Sequence, residues 1–233
     1  MTVVVESYAA YDAIASEYTK SKELPFRHLV EKATLVKLIG SSMTNSWVLD
    51  LACGDGYYSR VFRDEMKASF VYGVDISKSM LDMAKSKEAQ DSLRKGRIQY
   101  KISDVANMST TEPVDQLPKF DVVAATYLLC YAHTREELLK FCQVIAANLK
   151  EGGKLVALND NPGDDPNKYT TDMEKKVKKY SLLKTMVNEN SPRKEQDLLR
   201  YELFNSDESL EMGKYGTRRI FWRGPSLLAR FPD

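Results

Sequence analysis

Val48-Leu49-Asp50-Leu51-Ala52-Cys53-Gly54-Asp55-Gly56 decides the fold. A short apolar run ends on an acid and passes into a turn with two closely spaced glycines. That pattern suits a buried parallel strand feeding a tight turn that opens a helix. Tyr58, Val61, Phe62 and Met66 then fall at helical spacing, and apolar runs recur near 70–75, 98–103, 120–126 and 153–159. With the first run at 47–51, these make five strands. Ser77 is placed to cap a helix that turns Met80, Leu81 and Ala84 inward. Thr134-Arg135-Glu136-Glu137 fits a capping box, and Leu138, Phe141, Cys142, Ile145 and Leu149 continue it at helical spacing, with Gly152 and Gly153 expected to end that helix.

Strands alternating with crossover helices place the chain in the α/β class, as a doubly wound, mostly parallel Rossmann-like sheet over residues 46–160. Residues 1–45 read as an N-terminal helical cap. Tyr8 to Lys20 suits a short helix with an aromatic face. Pro25 is placed to open a second helix with Phe26, Leu29, Val30, Ala33 and Val36 on its buried side and Gly40 as its stop. Residues 161–233 read as an acceptor-side or lid segment of the same domain. Asn161-Pro162-Gly163-Asp164-Asp165-Pro166 is turn chemistry, and a lysine-rich, solvated helix is predicted from about Thr171 to Val187, with Met173, Val177, Tyr180 and Leu183 along one side. Tyr201 to Phe204 is the one further strand candidate, and Lys214 to Arg230 shows no period, so the C-terminal strands read as incomplete.

Lysine plus arginine, 34, nearly balances aspartate plus glutamate, 33, so no global field draws the chain toward nucleic acid or an anionic membrane. Cys53, Cys130 and Cys142 form neither a CxxC pair nor a metal-like cluster, and read as reduced thiols of the cytosol. Met1-Thr2-Val3-Val4-Val5-Glu6 falls short of a secretory signal, and no apolar run reaches the roughly 18 residues of a membrane span. A cytoplasmic location without metal, nucleic acid or membrane partner is expected. The oligomeric state is not legible.

In an open parallel sheet the ligand crevice lies beyond the carboxyl ends of the strands. The residues there are Asp50, then Gly54 and Gly56; Asp75, which follows Gly54 by about the 20 residues at which a dinucleotide fold sets an acid on ribose hydroxyls; and Ser103-Asp104-Val105. A glycine turn alone does not decide between structure and ligand, and the spacing to Asp75 tips the balance. The turn carries Asp50 and Asp55 with no basic residue before Arg60, which disfavours a pyrophosphate. S-adenosylmethionine offers a ribose, an ammonium and a sulfonium, and carboxylates about 4 Å from such charges in a partly buried site gain a few kcal/mol.

Val48 to Gly56, Val74-Asp75-Ile76, Ser103-Asp104-Val105 and Lys150-Glu151-Gly152-Gly153-Lys154-Leu155 resemble the successive motifs of class I S-adenosylmethionine-dependent methyltransferases, over roughly residues 8 to 160. Tyr11-Asp12-Ala13-Ile14-Ala15-Ser16-Glu17-Tyr18 is similar to the opening of small-molecule enzymes of the ubiquinone and toxoflavin methyltransferase type. The resemblance implies that Asp50, Gly54 and Gly56 hold the methionine part, that Tyr11 and Ala52 also bind the cofactor, and that Asp75 takes the ribose hydroxyls. It also implies that Ile76 and Met80 cover the adenine, that Asp104 and Val105 contact it, and that Thr126 and Tyr127 face the transferred methyl. Ala52 departs from the glycine many members carry, and one added methyl is expected to be tolerated. Tyr18, Tyr127 and His133 are acceptor-side candidates for catalysis, with Tyr11 and Tyr131 also near the crevice mouth; for each, packing or loop exposure is the competing reading.

The expected activity is methyl transfer from S-adenosylmethionine to O, N or S of a small-molecule metabolite. A chain that binds cofactor or partner without turnover is the alternative, motivated by the missing C-terminal strand pair. A nicotinamide oxidoreductase survives on fold analogy alone, since Gly54-Asp55-Gly56-Tyr57-Tyr58-Ser59 lacks the last glycine of that fingerprint. A nucleic-acid or protein-amide methyltransferase is disfavoured, because Ala125-Thr126-Tyr127-Leu128-Leu129 stands where such enzymes carry an Asn/Asp-Pro-Pro-Tyr-type motif.

Overall fold

The computed structural model describes residues 3–4, 27–40, 42–90, 97–161, 170–173 and 175, and the strands at 182–186, 198–204 and 210–218. The helix expected over Tyr8 to Lys20, with Tyr11 and Tyr18, lies outside the described residues. After β1 (Val3–Val4), a π-helical stretch, Arg27–Lys32, continues as α1 (Ala33–Ile39). Five parallel strands follow, β2 (Trp47–Leu51), β3 (Phe70–Asp75), β4 (Ile98–Ile102), β5 (Phe120–Thr126) and β6 (Leu149–Leu158), interleaved with α2 (Tyr57–Asp64), α3 (Lys78–Ala89) and α4 (Arg135–Asn148). Their order is β4-β3-β2-β5-β6, so the winding reverses between β2 and β5 and opens a crevice beyond the ends of those two strands.

The two-residue period of the strands fills both faces. Val48, Val71, Val122 and Ala124 pack with Leu35, Ile39, Tyr58, Val61 and Phe62 of α1 and α2. Leu49, Leu51, Val74, Val123 and Ala125 pack with Phe141, Val144 and Ile145 of α4. Asp121 fastens the far end of the sheet: its carboxylate accepts from the Trp47 amide at 2.7 Å and the Lys150 ammonium at 2.7 Å.

Several expectations hold and others are corrected. Ser77 caps α3, accepting from the Met80 amide at 3.2 Å. Thr134 caps α4 by accepting from the Glu137 amide at 3.1 Å, and Glu137 reaches back to the amide of His133 at 2.6 Å. That helix ends at Asn148, ahead of the glycines, because Leu149 already pairs with Phe120. Gly152 and Gly153 sit instead in the irregular stretch before Lys154 pairs with Val122.

The N-terminal helix turns a different face inward. Leu29 and Val30 are 75% and 63% exposed, while Arg27, Glu31, Leu35 and Ile39, four residues apart, are buried. The lysine-rich helix does not run to Val187: β7 (Leu182–Met186) pairs antiparallel with β8 (Leu198–Phe204), which pairs antiparallel with β9 (Leu210–Arg218). A short apolar run fits either period, and cross-strand pairing decides it here. β8 and β9 are an antiparallel pair, but they lie in a separate four-stranded sheet of order β1-β9-β8-β7, and among the described residues neither pairs with β6 at the edge of the parallel sheet.

The charged bonds of Asp121 predict a pH-dependent contribution. Burial pushes its carboxyl up, but the Lys150 ammonium and the Trp47 amide outweigh that and hold it below the usual range. A lowered folded pKa stabilises above the unfolded value of about 4 and is lost as pH falls through the folded one. Asp121→Asn should lower Tm at pH 7 by about 3 °C, and the gap to wild type should close below about pH 4; calorimetry across pH reads both.

Candidate active site

The turn after β2 is built from three left-handed residues. Ala52 has φ 59°, Gly54 φ 56° and Gly56 φ 75°. Gly56 is required twice over, since it sits in that conformation and a Cβ there would lie 2.3 Å from the Tyr100 hydroxyl oxygen. Tyr100 reaches it across Gly73, its register partner on β3, where a Cβ would lie 2.7 Å from the ring. The turn accommodates Ala52 at a left-handed position. The added methyl is small, but the left-handed backbone itself costs an L-residue about 1 kcal/mol.

Asp75 anchors the turn from the neighbouring strand. Its Oδ2 accepts from the Gly54 amide at 2.7 Å and its Oδ1 from the Ser77 amide at 2.9 Å, so one carboxylate ties the glycine turn to the start of α3. Asp50 is fully buried and accepts from the Ser59 hydroxyl at 2.6 Å, which fastens β2 to α2. Asp55, 1% exposed, pairs with Lys87 at 2.6 Å, while Arg60 donates to its carbonyl at 2.8 Å. The turn is thus not free of cationic compensation, because α3 supplies a lysine distant in sequence. Burial, then the nearby Asp75, Asp50 and Asp55, push the Cys53 thiol well up, so the three acids converge on this turn.

The remaining predicted residues are distributed as follows. Met80 is buried with its Cε 3.6 Å from where a Gly54 Cβ would sit, and Ile76 is half-buried. Asp104 accepts from the Ala106 amide at 2.9 Å and the Asn107 side chain at 2.8 Å, capping a 3-10 turn, and Val105 belongs to the core. Thr126 is buried at the end of β5. Tyr127 follows it with φ 62°, its amide donating to the Leu158 carbonyl at 2.6 Å. Tyr131 and His133 are half-buried beyond it.

A group the sequence reading missed meets Tyr127. Glu31 accepts from the hydroxyls of Tyr58 and, at 2.7 Å, of Tyr127, and pairs with Arg27, whose guanidinium lies 5.5 Å from the Tyr127 ring centre. Burial, then the Glu31 carboxylate, push the Tyr58 hydroxyl far above its ordinary range. His28 joins the same mouth through a 2.9 Å contact with the Tyr57 hydroxyl. The available signal was the i,i+4 spacing of Arg27 and Glu31, which reads by default as a solvated pair.

Residues 48–153 match the family profile described as a methyltransferase domain. The matched segment runs from β2 through the glycine turn to the start of β6 and is similar to methyltransferase domains. The ubiquinone biosynthesis O-methyltransferase of Coxiella burnetii is 31% identical over 130 residues, 55% of this chain and 50% of that protein. The 18S rRNA (guanine(1575)-N(7))-methyltransferase of Saccharomyces cerevisiae is 30% identical over 167 residues, 66% of this chain and 56% of that protein. The chain thus spans about half the length of the curated relatives it matches. A crystal structure of an S-adenosylmethionine-dependent methyltransferase from Clostridium acetobutylicum has the same fold, with TM-score 0.56 over 91% of this chain and 82% of that one at 16% identity. Among the described residues, no helix is long and apolar enough to cross a membrane.

The turn geometry predicts opposite effects at two positions. Ala52→Gly should raise the unfolding free energy by about 1 kcal/mol by relieving left-handed strain. Gly56→Ala should lower it by on the order of 2 kcal/mol through strain and collision with Tyr100. Urea denaturation measures both, and coincident midpoints for all three proteins would contradict the account.

Proposed function

We propose that this chain transfers the methyl group of S-adenosylmethionine to O, N or S of a small-molecule metabolite. The observation that carries the reading is the Asp75 carboxylate, fixed by the Gly54 and Ser77 amides at the end of β3, beside a turn of bare backbone. A carboxylate has about four acceptor sites, so two backbone bonds that orient it are compatible with receiving a ribose diol. In this reading Asp50, Ala52, Gly54 and Gly56 shape the methionine side, Ile76 and Met80 cover the adenine, Asp104 and Val105 contact it, and Thr126 and Tyr127 border the methyl.

When bound, S-adenosylmethionine supplies an electrophilic methyl on a positively charged sulfur, open to in-line displacement by an acceptor lone pair. The chain's own residues align the two partners and exclude water, which is where such a displacement gains most. Tyr127, His133 and Tyr18 are the candidates for orienting an acceptor or taking its proton. The N-terminal helix reaches Tyr127 through Glu31.

The small-molecule acceptor is supported by the likeness to the ubiquinone O-methyltransferase and by the near-neutral charge. A second reading, an RNA base as acceptor, is favoured by the yeast relative alone. The binder without turnover keeps its motive, since β8 and β9 pair with one another in a separate sheet and do not extend the parallel one.

Isothermal titration should show S-adenosylmethionine binding to the wild type and a Kd raised roughly tenfold or more by Asp75→Asn, the loss of charge-assisted bonds. Absence of heat at millimolar ligand would sink the proposal. Incubation with methyl-labelled donor and either a metabolite extract or total RNA decides the acceptor class: label in the small-molecule fraction is expected, and label in RNA would transfer the assignment to the second reading.

A further inference from the structure

The N-terminal helix is fastened to the crevice mouth by a buried ionic network that ends on the residue at the tip of β5. Arg27 and Glu31 are 6% and 7% exposed. Burying this pair carries a desolvation cost that apolar side chains of similar volume would avoid. What an apolar contact could not do is hold a hydroxyl in one direction. Glu31 holds two, using Oε1 for Tyr58 of α2 and Oε2 for both Arg27 and Tyr127.

Tyr127 is also strained. A left-handed backbone costs a bulky residue about 1 kcal/mol or more and persists where surrounding contacts over-determine it. Here the Tyr127 amide is held by Leu158, its hydroxyl by Glu31, and its ring lies beneath the Arg27 guanidinium. The hydroxyl bond spans 96 residues of sequence, so it closes the helix onto the strand end. Strain of this kind gathers at functional sites, and so do π-helical turns such as Arg27–Lys32.

We infer that Glu31 is a positioning residue, which fixes the side chain of Tyr127 and through it the wall of the crevice next to the transferred methyl. The inference rests on the proposed function, in which Thr126 and Tyr127 border that methyl. It makes the N-terminal helix part of the site, since removing the Glu31 carboxylate releases Tyr127 without touching the glycine turn or Asp75.

S-adenosylmethionine and S-adenosylhomocysteine differ by one methyl and the charge on sulfur, so the ratio of their Kd values reports on the surroundings of that methyl. Titration calorimetry on the full chain gives this ratio for the wild type and for Glu31→Ala, Glu31→Gln, Tyr127→Phe and both double variants, with near-UV circular dichroism as the check on folding. Glu31→Ala and Tyr127→Phe should each move the ratio by about fivefold in the same direction, the value of one hydrogen bond. The double variant should move it no further, and Glu31→Gln, which keeps an acceptor for the Tyr127 hydroxyl, should recover most of it. Asp75→Asn should weaken both ligands alike. If Glu31→Ala fails to fold, Tyr127→Phe should still move the ratio about fivefold while Glu31→Gln stays close to the wild type, and an unmoved ratio in Tyr127→Phe overturns the inference. A folded Glu31→Ala with an unmoved ratio, or single effects of Glu31→Ala and Tyr127→Phe that multiply in their double variant, would overturn the inference while leaving the proposed function standing. A wild type that binds neither ligand would overturn both.

Discussion

The bonds that Asp75 accepts from the amides of Gly54 and Ser77 are the constraint on which the site depends. β2 and β3 are already in register, with Leu51 opposite Val74. That pairing alone leaves the chain after Leu51 free to choose its turn. Asp75 removes the choice, because one carboxylate with two directed oxygens sets the glycine turn and the start of α3 relative to one another. Three residues can then stay left-handed, and α2 begins where Gly56 passes under Tyr100. Charge-assisted hydrogen bonds to backbone amides are stronger than neutral ones, which suits a turn carrying strain at Ala52.

Electrostatics around the turn is a balance between sequence-near acids and sequence-distant cations. Asp50, Asp55 and Asp75 converge on Cys53, and Lys87 of α3 neutralises Asp55 from outside. Asp50 accepts from Ser59 of α2 through Oδ2 and has no exposed surface. The three acids share the scaffold: Asp50 ties β2 to α2, Asp55 pairs with Lys87, and Asp75 ties the glycine turn to the start of α3. At the other side of the crevice the same logic places Glu31 between two tyrosines and Arg27, which makes a helix end that would otherwise be a surface feature part of the wall.

Much of this was legible in the residues. The strands β2, β3 and β5 coincide with the apolar runs at 47–51, 70–75 and 120–126, because strands buried on both faces read as continuous apolar runs bounded by turn residues. Ser77 and Thr134 announced their helices, since a cap is a local hydrogen bond between residues three apart. The inward face of the N-terminal helix was not legible. Leu29 and Val30 present an apolar stripe, and Arg27 with Glu31 looks solvated, yet the tyrosines waiting at α2 and β5 reverse that orientation. The strand at Leu182–Met186 was hidden for a related reason, since its partner in pairing lies in β8.

The sequence by itself determined the α/β class, the positions of the buried strands, and the turn whose glycines and following acid mark the crevice, because each is encoded in a window of a few residues or in one fixed spacing. Only the tertiary structure decided which charges are buried, that Lys87 answers Asp55, and that Glu31 meets Tyr127. Those contacts join residues 32 and 96 positions apart, and no local period carries information across such a span.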